Sequence, residues 1–394
     1  MPDGGEAATV KIQGRIADVD ATGWDACAGI GSACENPFVS HAFLNALEES
    51  QSATAEAGWL PQHLVIEDAA GRVVACAPMY VKSHSQGEYV FDHAWADAYE
   101  RAGGRYYPKL QVAVPFTPVT GPRLLVQPGA DAERNRELLI AGMLEVTRQS
   151  ELSSLHVTFP TETEAVSMEK AGMHLRMGQQ FYWENEGYED FEGFLARLTS
   201  RKRKSIRKER RAVTEAGISV RALVGAEIEP RHWDAFHHFY IATYDRKWGY
   251  PYLTREFFSL LGERMAEQVV LVVAEKDGRI VAGALNIRGG DALYGRNWGC
   301  AGDFKFLHFE ACYYQAIEFA IANRLARVEA GTQGLHKIQR GYLPRPTWSA
   351  HWIRDERFRD AVADFCRRER RAVEQEVTYL AKQSPFRQRE GNGE

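Results

Sequence analysis

The chain lacks the marks of several common classes. Its six cysteines (Cys27, Cys34, Cys76, Cys300, Cys312 and Cys366) include no CxxC pair. Most lie among apolar residues, which argues for reduced, buried thiols over a disulfide framework or a zinc site. No apolar run approaches the ~18 residues that a bilayer-crossing helix needs. The start, Met1-Pro2-Asp3-Gly4-Gly5-Glu6, has neither the basic nor the apolar segment of a signal peptide. A soluble, cytoplasmic protein is expected. No GxGxxG opens a helix after a strand, and there is no GxxxxGK[ST], no GxSxG and no HExxH. Dinucleotide, P-loop, hydrolase-elbow and zincin chemistries therefore fall away. His237 and His238 are adjacent, so on a helix they point about 100° apart and do not chelate one metal; no metal site is expected. A net charge of −5 gives no global field for nucleic acid or membrane, so such a role must come from a local patch.

What is present suffices for two or three domains: 394 residues, 45% hydrophobic and 26% charged. The richest stretch is Val269 to Trp352. Strand-like runs Val269–Ala274 and Ile280–Ile287 flank Glu275-Lys276-Asp277-Gly278-Arg279, and an Asp-Gly pair between apolar runs predicts a hairpin. A third strand is expected at Ala292–Trp298 and a helix over Phe306–Asn323, with Phe309, Cys312, Tyr313, Ala316, Phe319 and Ala320 on one face. A short strand, Ala326–Ala330, then leads into a polar, glycine-containing loop, Gly331–Gly341.

The same order occurs earlier. Leu64–Glu67, Gly71-Arg72 and Val73–Ala77, the start of a strand expected to reach Val81, lie over Leu271–Glu275, Gly278-Arg279 and Ile280–Ala284. A strand Tyr89–Phe91, a helix Ala132–Gln149 and a strand Leu155–Phe159 are expected to follow, and the aromatic cluster Gln180–Trp183 matches Ser349–Trp352. Long-period self-similarity means two copies of one unit. Ser40 is placed to cap a helix reaching about Glu49. The expected fold is mixed α/β, two tandem domains each with a mainly antiparallel sheet flanked by helices. The first spans 1–190, with a Pro- and aromatic-rich insertion at 93–123; a basic connector helix spans 191–220; the second domain spans 221–394, with an amphipathic helix from Asp355 to about Lys382 and a disordered polar tail. Arg197 to Arg211 holds nine basic residues against one acid, which reads either as a solvated helix face or as a site for phosphates.

A meander followed by a helix, twice in one chain, resembles the GNAT acyltransferase fold. Phe194-Leu195, Leu198, Arg201-Lys202, Ile206-Arg207-Lys208 and Arg211 are similar to the basic motif of FemAB-type aminoacyltransferases. So is Phe239–Arg246, with Pro251 and Phe257-Phe258. Tyr294-Gly295-Arg296, Trp298-Gly299-Cys300, His308-Phe309-Glu310, Tyr313-Tyr314-Gln315 and Gly331, Gln333-Gly334, His336-Lys337, Arg340-Gly341 resemble a FemAB-like branch usually labelled as peptidoglycan-biosynthesis proteins.

The resemblance implies transfer of an acyl or aminoacyl group from an activated donor to an amine on a small molecule or peptide. Such chemistry needs a phosphate clamp, a base and donors for an oxyanion. Glu310 and His336 are candidates for the base, Lys337 and Arg340 for charge stabilisation. Asp97, Tyr107, Lys109, Arg296, Tyr313 and Gln333 are candidates for substrate binding, and Arg201, Lys202, Arg207 and Lys208 for phosphates. GNAT enzymes that use acetyl-CoA carry a glycine-rich turn at a helix start. Here Gly302-Asp303-Phe304-Lys305-Phe306-Leu307-His308 has one glycine and an aspartate. No tightly bound cofactor is expected; the co-substrate is aminoacyl-tRNA or acyl-CoA, and tRNA is a candidate partner. The competing reading is a non-catalytic GNAT-fold module that binds a ligand or RNA.

Overall fold

The structure, a computed structural model, describes residues 8–247 and 250–387. Residues 1–7 and the end of the polar tail, 388–394, lie outside the described residues. The chain forms two compact units. The first comprises 1–178, 252–260 and 347–373; the second comprises 179–251, 261–346 and 374–394. These differ from the contiguous blocks 1–190 and 221–394. The cause is strand pairing: Ser349–Ile353 pairs antiparallel with Ser154–Thr158, so the end of strand Leu343–Ile353 joins the first unit. The basic connector belongs to the second unit.

In the first unit, Thr9–Gln13, His63–Glu67, Val73–Ala77 and Leu125–Val126 make a four-stranded antiparallel sheet. Trp59–Pro61, Met79–Lys82 and Lys109–Val112 form an antiparallel series, and Lys109–Val112 then runs parallel to Ser154–Thr158. Helix Ala132–Gln149 buries Leu139, Ile140, Met143 and Leu144 at the helical spacing against Leu64, Ile66 and Val157. Ser40 caps helix His41–Glu49, its hydroxyl accepting from the Phe43 amide at 3.2 Å. The expected strand at Tyr89–Phe91 is a loop, because Tyr89 sits at φ 62, outside strand geometry. Val73–Val81 is two strands, broken at Pro78, which has no N–H to give a ladder.

In the second unit, Ile218–Val224, Val269–Lys276, Arg279–Arg288 and Ala292–Cys300 make an antiparallel meander. The hairpin closes at Asp277 (φ 50) and Gly278 (φ 71), the two left-handed residues of a tight turn that fits the twist of the strands. Helix Pro230–Lys247 lies so close to Ala292–Cys300 that a Cβ on Gly299 would stand 2.6 Å from the Phe239 backbone. The expected helix Phe306–Asn323 exists but is not uniform: Leu307–Phe309 is α-helical, Glu310–Tyr314 is a π-turn, and Gln315–Ala322 is α-helical again. The basic stretch forms two helices, Phe191–Arg197 and Ser200–Glu215. They part at Leu198 and Thr199 because this backbone bonds to the C-terminal segment instead; the Thr199 amide donates to the Pro385 carbonyl at 3.0 Å.

Candidate functional site

Strand Ala292–Cys300 pairs in parallel with Arg327–Glu329 over three residues only, the last pair being Tyr294 and Glu329. Past that point the longer strand continues along Arg279–Arg288 while its neighbour ends, and the chain turns into the loop Gly331–Gly341. The two strands therefore part beyond Tyr294 and Glu329. Where they part, Arg296 and Asn297 together oppose the single residue Leu285, which is a β-bulge. Bulges re-aim side chains and occur beside active sites. Arg296 is half-buried at this bulge.

The Lys337 side chain reaches the backbone just past strand Arg327–Glu329. It is 4% exposed, and its Nζ donates to the carbonyls of Ala330 and of Gly331, the latter at 3.0 Å. Among the described residues no carboxylate pairs with it. Burial lowers its pKa to about 8, since an ammonium in apolar surroundings loses hydration. Beside it, His336 is half-buried and its Nε2 meets the Tyr313 hydroxyl at 2.9 Å. Burial, then the charges of Arg340 and Lys337, lower the His336 pKa, so the imidazole is neutral at pH 7. Burial raises the Tyr313 phenol well above the ordinary range and keeps it protonated. Gly334, at φ 101, makes the approach feasible: a Cβ there would lie 2.4 Å from the His336 ring.

Aromatic rings surround this pair. His308 lies 5.4 Å from Trp298 and 5.9 Å from His336, and Phe309 lies 5.3 Å from His336, centre to centre. Arg340 is only 6% exposed. It sits 3.4 Å over the Phe309 ring and donates to Tyr314 Oη (2.9 Å), the His336 carbonyl (2.8 Å) and Glu209 (2.8 Å).

The structure thus brings together Tyr313, His336, Lys337, Arg340 and Glu310 in the second unit, but not in the expected roles. Glu310 lies in the π-turn, and its carboxylate accepts from Arg210 at 2.9 and 3.0 Å and from Gln315 at 2.9 Å. A carboxylate held this way is not a free base among aromatic rings. Arg340, neutralised by Glu209, holds the loop rather than facing a substrate. Gln333 is exposed on the same loop. The candidates of the first unit fare differently. Asp97 is exposed on helix His93–Arg101, and the half-buried Tyr107 hydroxyl meets Ser85 Oγ at 2.8 Å. Lys109 is fully buried, and its ammonium donates to Ser85 (2.8 Å), Glu88 (2.8 Å) and Asp92 (2.6 Å). With its three donors spent on these groups, it is a structural cation, and the expectation that it binds an acceptor is not met. The insertion 93–123 serves packing here, with Arg123 wholly buried and donating to the carbonyls of Thr158 and Val119.

The basic helix Ser200–Glu215 buries Ile206 and Val213. Arg201 and Lys208 are exposed, Lys202 is half-buried, and among the described residues none of the three forms an ion pair; Arg207 pairs with Glu192. Sequence reasoning missed His308, Trp298 and the Glu209–Arg210 pair. It also missed Glu329, a 3%-exposed carboxylate that burial pushes up to about 7 against the pull of Arg327. Each sits in a stretch already singled out, yet only the fold shows which partners they meet. Among the described residues no cluster of three or more His, Cys, Asp or Glu could hold a metal ion, and no helix is long and apolar enough to cross a membrane.

A family model described as FemAB-like, peptidoglycan biosynthesis/recognition, matches residues 15–388. Among solved structures, FemX is 10% identical, with 88% of this chain and 98% of that one covered and a TM-score of 0.56. The C-terminal domain of a protein assigned as lysylphosphatidylglycerol synthetase from Agrobacterium fabrum is 10% identical, covering 88% and 93%, with a TM-score of 0.53. A conserved protein of unknown function from Bacteroides thetaiotaomicron is 11% identical, covering 87% and 99%, with a TM-score of 0.52. At these identities the likeness is one of fold. No curated protein sequence matches the chain.

Proposed function

The chain belongs to the FemAB-like family and folds as a tandem GNAT-type protein, and we propose that it is an acyltransferase moving an aminoacyl group from an aminoacyl-tRNA to a primary amine. The observation that carries this reading is the Tyr313–His336 pair standing beside an unpaired, buried Lys337 ammonium where two parallel strands part. In the proposed reaction the amine attacks the ester carbonyl and a C–N bond forms. The neutral His336 imidazole takes the proton that the attacking nitrogen sheds. Lys337 keeps one N–H beyond the two that bind carbonyls, and this donor stabilises the oxyanion. The C–O bond of the ester then breaks, and the imidazolium returns its proton to the departing ribose hydroxyl. The Tyr313 hydroxyl accepts from the imidazole Nε2–H, which fixes the tautomer that leaves Nδ1 free to take the proton.

Two features favour a tRNA ester over a CoA thioester. The residues before the helix offer no glycine-rich cradle, and Phe306 there takes a left-handed φ of 64. The basic helix meanwhile presents cations without ion pairs. One observation favours the second reading, a binding module: Glu310 and Arg340 are both spent in internal ion pairs.

The test is binding of charged tRNA and of acetyl-CoA in parallel across a salt series, followed by transfer to amine acceptors. The expected result is tRNA binding whose logarithm falls linearly with log salt, by ~0.7–0.9 per phosphate contact. Lys337→Ala then abolishes transfer while leaving tRNA affinity largely unchanged. Saturable CoA binding with no response to tRNA would sink the donor assignment, and tRNA binding without transfer to any amine would favour the binding module.

A further inference from the structure

The basic helix Ser200–Glu215 has two faces with different work to do. Arg201, Lys204, Lys208 and Arg211 recur at i, i+3, i+7 and i+10, so they form one stripe about 15 Å long at 1.5 Å per residue. All four are exposed, and among the described residues none has an ion-pair partner. The opposite face carries Ile206 and Val213, both buried, and between them the consecutive pair Glu209 and Arg210.

That pair grips the two halves of the candidate site. Arg210 lies 4.6 Å over the Phe191 ring and holds Glu310 of the π-turn at 2.9 and 3.0 Å and Glu318 about two turns on at 2.7 and 2.8 Å. Glu209 accepts from Arg340 at 2.8 Å and from the Tyr314 hydroxyl. Arg340 in turn holds the His336 carbonyl at 2.8 Å. Tyr313 and His336 are therefore each tethered, through an adjacent residue or a backbone carbonyl, to one position on the basic helix. π-Turns within helices mark places where the backbone departs from regular geometry, often at functional sites.

We propose that Glu209 is a positioning residue through which polyanion docking on the outer stripe is read at the Tyr313–His336 pair. This rests on the aminoacyl-tRNA reading above. A helix moves as a rigid body, so any displacement that phosphates impose on the stripe is shared by Glu209 and Arg210. The stripe supplies charge complementarity for an RNA backbone. Among the described residues, its helix has no exposed large apolar side chain to enter a lipid surface.

The experiment uses the full chain with histidine rings isotope-labelled, the His336 signal assigned by its loss in His336→Gln, and uncharged tRNA as the probe. Saturating tRNA is expected to shift the His336 ring signals and their titration midpoint. Glu209→Gln is expected to bind tRNA within about twofold of wild type yet lose more than about half of the His336 response, since removing a coupling residue changes transmission and not docking. Tyr314→Phe removes the hydroxyl shared by Glu209 and Arg340 without stranding a buried charge, and is expected to behave the same way; it decides the matter if Glu209→Gln does not fold. A full His336 response in both variants overturns the proposal. So does tRNA that binds the wild type without moving His336, and that outcome leaves the donor assignment standing. Failure of tRNA to bind at all overturns both.

Discussion

His156 and His351 lie 195 residues apart in the chain and meet Nδ1 to Nδ1 at 2.6 Å. Each also meets a serine two residues before it, Ser154 at 2.7 Å and Ser349 at 2.8 Å. Ser-x-His thus occurs on both strands of one antiparallel pair, and the two rings close a buried chain of hydrogen bonds. Burial is the main reason that both imidazoles stay neutral. His156 falls to about 3, and His351 lies well below its ordinary value, with the Lys109 and Arg176 charges adding to the effect.

This pair makes the first unit sensitive to acid. Below about 6.5 the unfolded histidines take up protons that the folded ones refuse, so stability falls as pH drops from 6.5 toward 3. Each histidine contributes up to ~1.4 kcal/mol per pH unit over that window. Thermal melts between pH 7.5 and 4.5 should show the loss. His351→Asn should flatten the slope, and an unchanged slope would mean that the pair is not responsible.

The side chains of Arg340 and Glu209 are 7% and 12% exposed and bonded to each other. Arg340→Ala leaves a buried carboxylate without its cation and removes the stack on Phe309. A loss of roughly 3–5 kcal/mol is expected in denaturant unfolding, with Arg340→Met milder than Arg340→Ala because it refills the space over the ring. A loss below ~1 kcal/mol would show that the pair is solvated.

The rate of transfer should follow a bell in pH. The acidic limb comes from His336, which must be neutral and whose pKa lies below 6.5; the alkaline limb comes from Lys337, which must be charged and loses its proton near 8. Lys337→Met should erase the alkaline limb and lower kcat by ~10²–10³, the scale for loss of one oxyanion donor. Persistence of the limb in this variant would assign it elsewhere.

Gly299→Ala tests the packing that supports the bulged strand. Its Cβ would meet Phe239 Cβ at 2.5 Å and the Phe239 backbone at 2.6 Å, and a backbone cannot step aside as a flexible side chain can. A cost of about 1–3 kcal/mol or more is expected from overpacking, measured as a shift in the denaturation midpoint. Gly331→Ala, with open space around its Cβ, should cost only the penalty of its left-handed φ of 71.

Much of the fold was legible because its rules are local. Asp277-Gly278 set the hairpin through positive φ, helical spacing marked Ala132–Gln149, and Ser40 announced a cap. The Gly-Arg repeat disclosed two copies, and the polar character of the loop after Arg327–Glu329 is plain from its residues. What the sequence by itself determined was therefore the order of elements, the duplication and the presence of a dense basic helix. The tertiary structure alone decided which charges are spent and which are free. Glu310 reads as a base until Arg210, 100 residues away, is folded against it, and Arg340 reads as a free cation until Glu209, 131 residues away, meets it. Lys109 reads as a substrate-binding candidate in sequence, yet its ammonium is buried and bonded to Glu88 and Asp92. Pairings of this kind depend on desolvation and on contacts between distant segments, and neither has a period or a spacing that can be read along the chain.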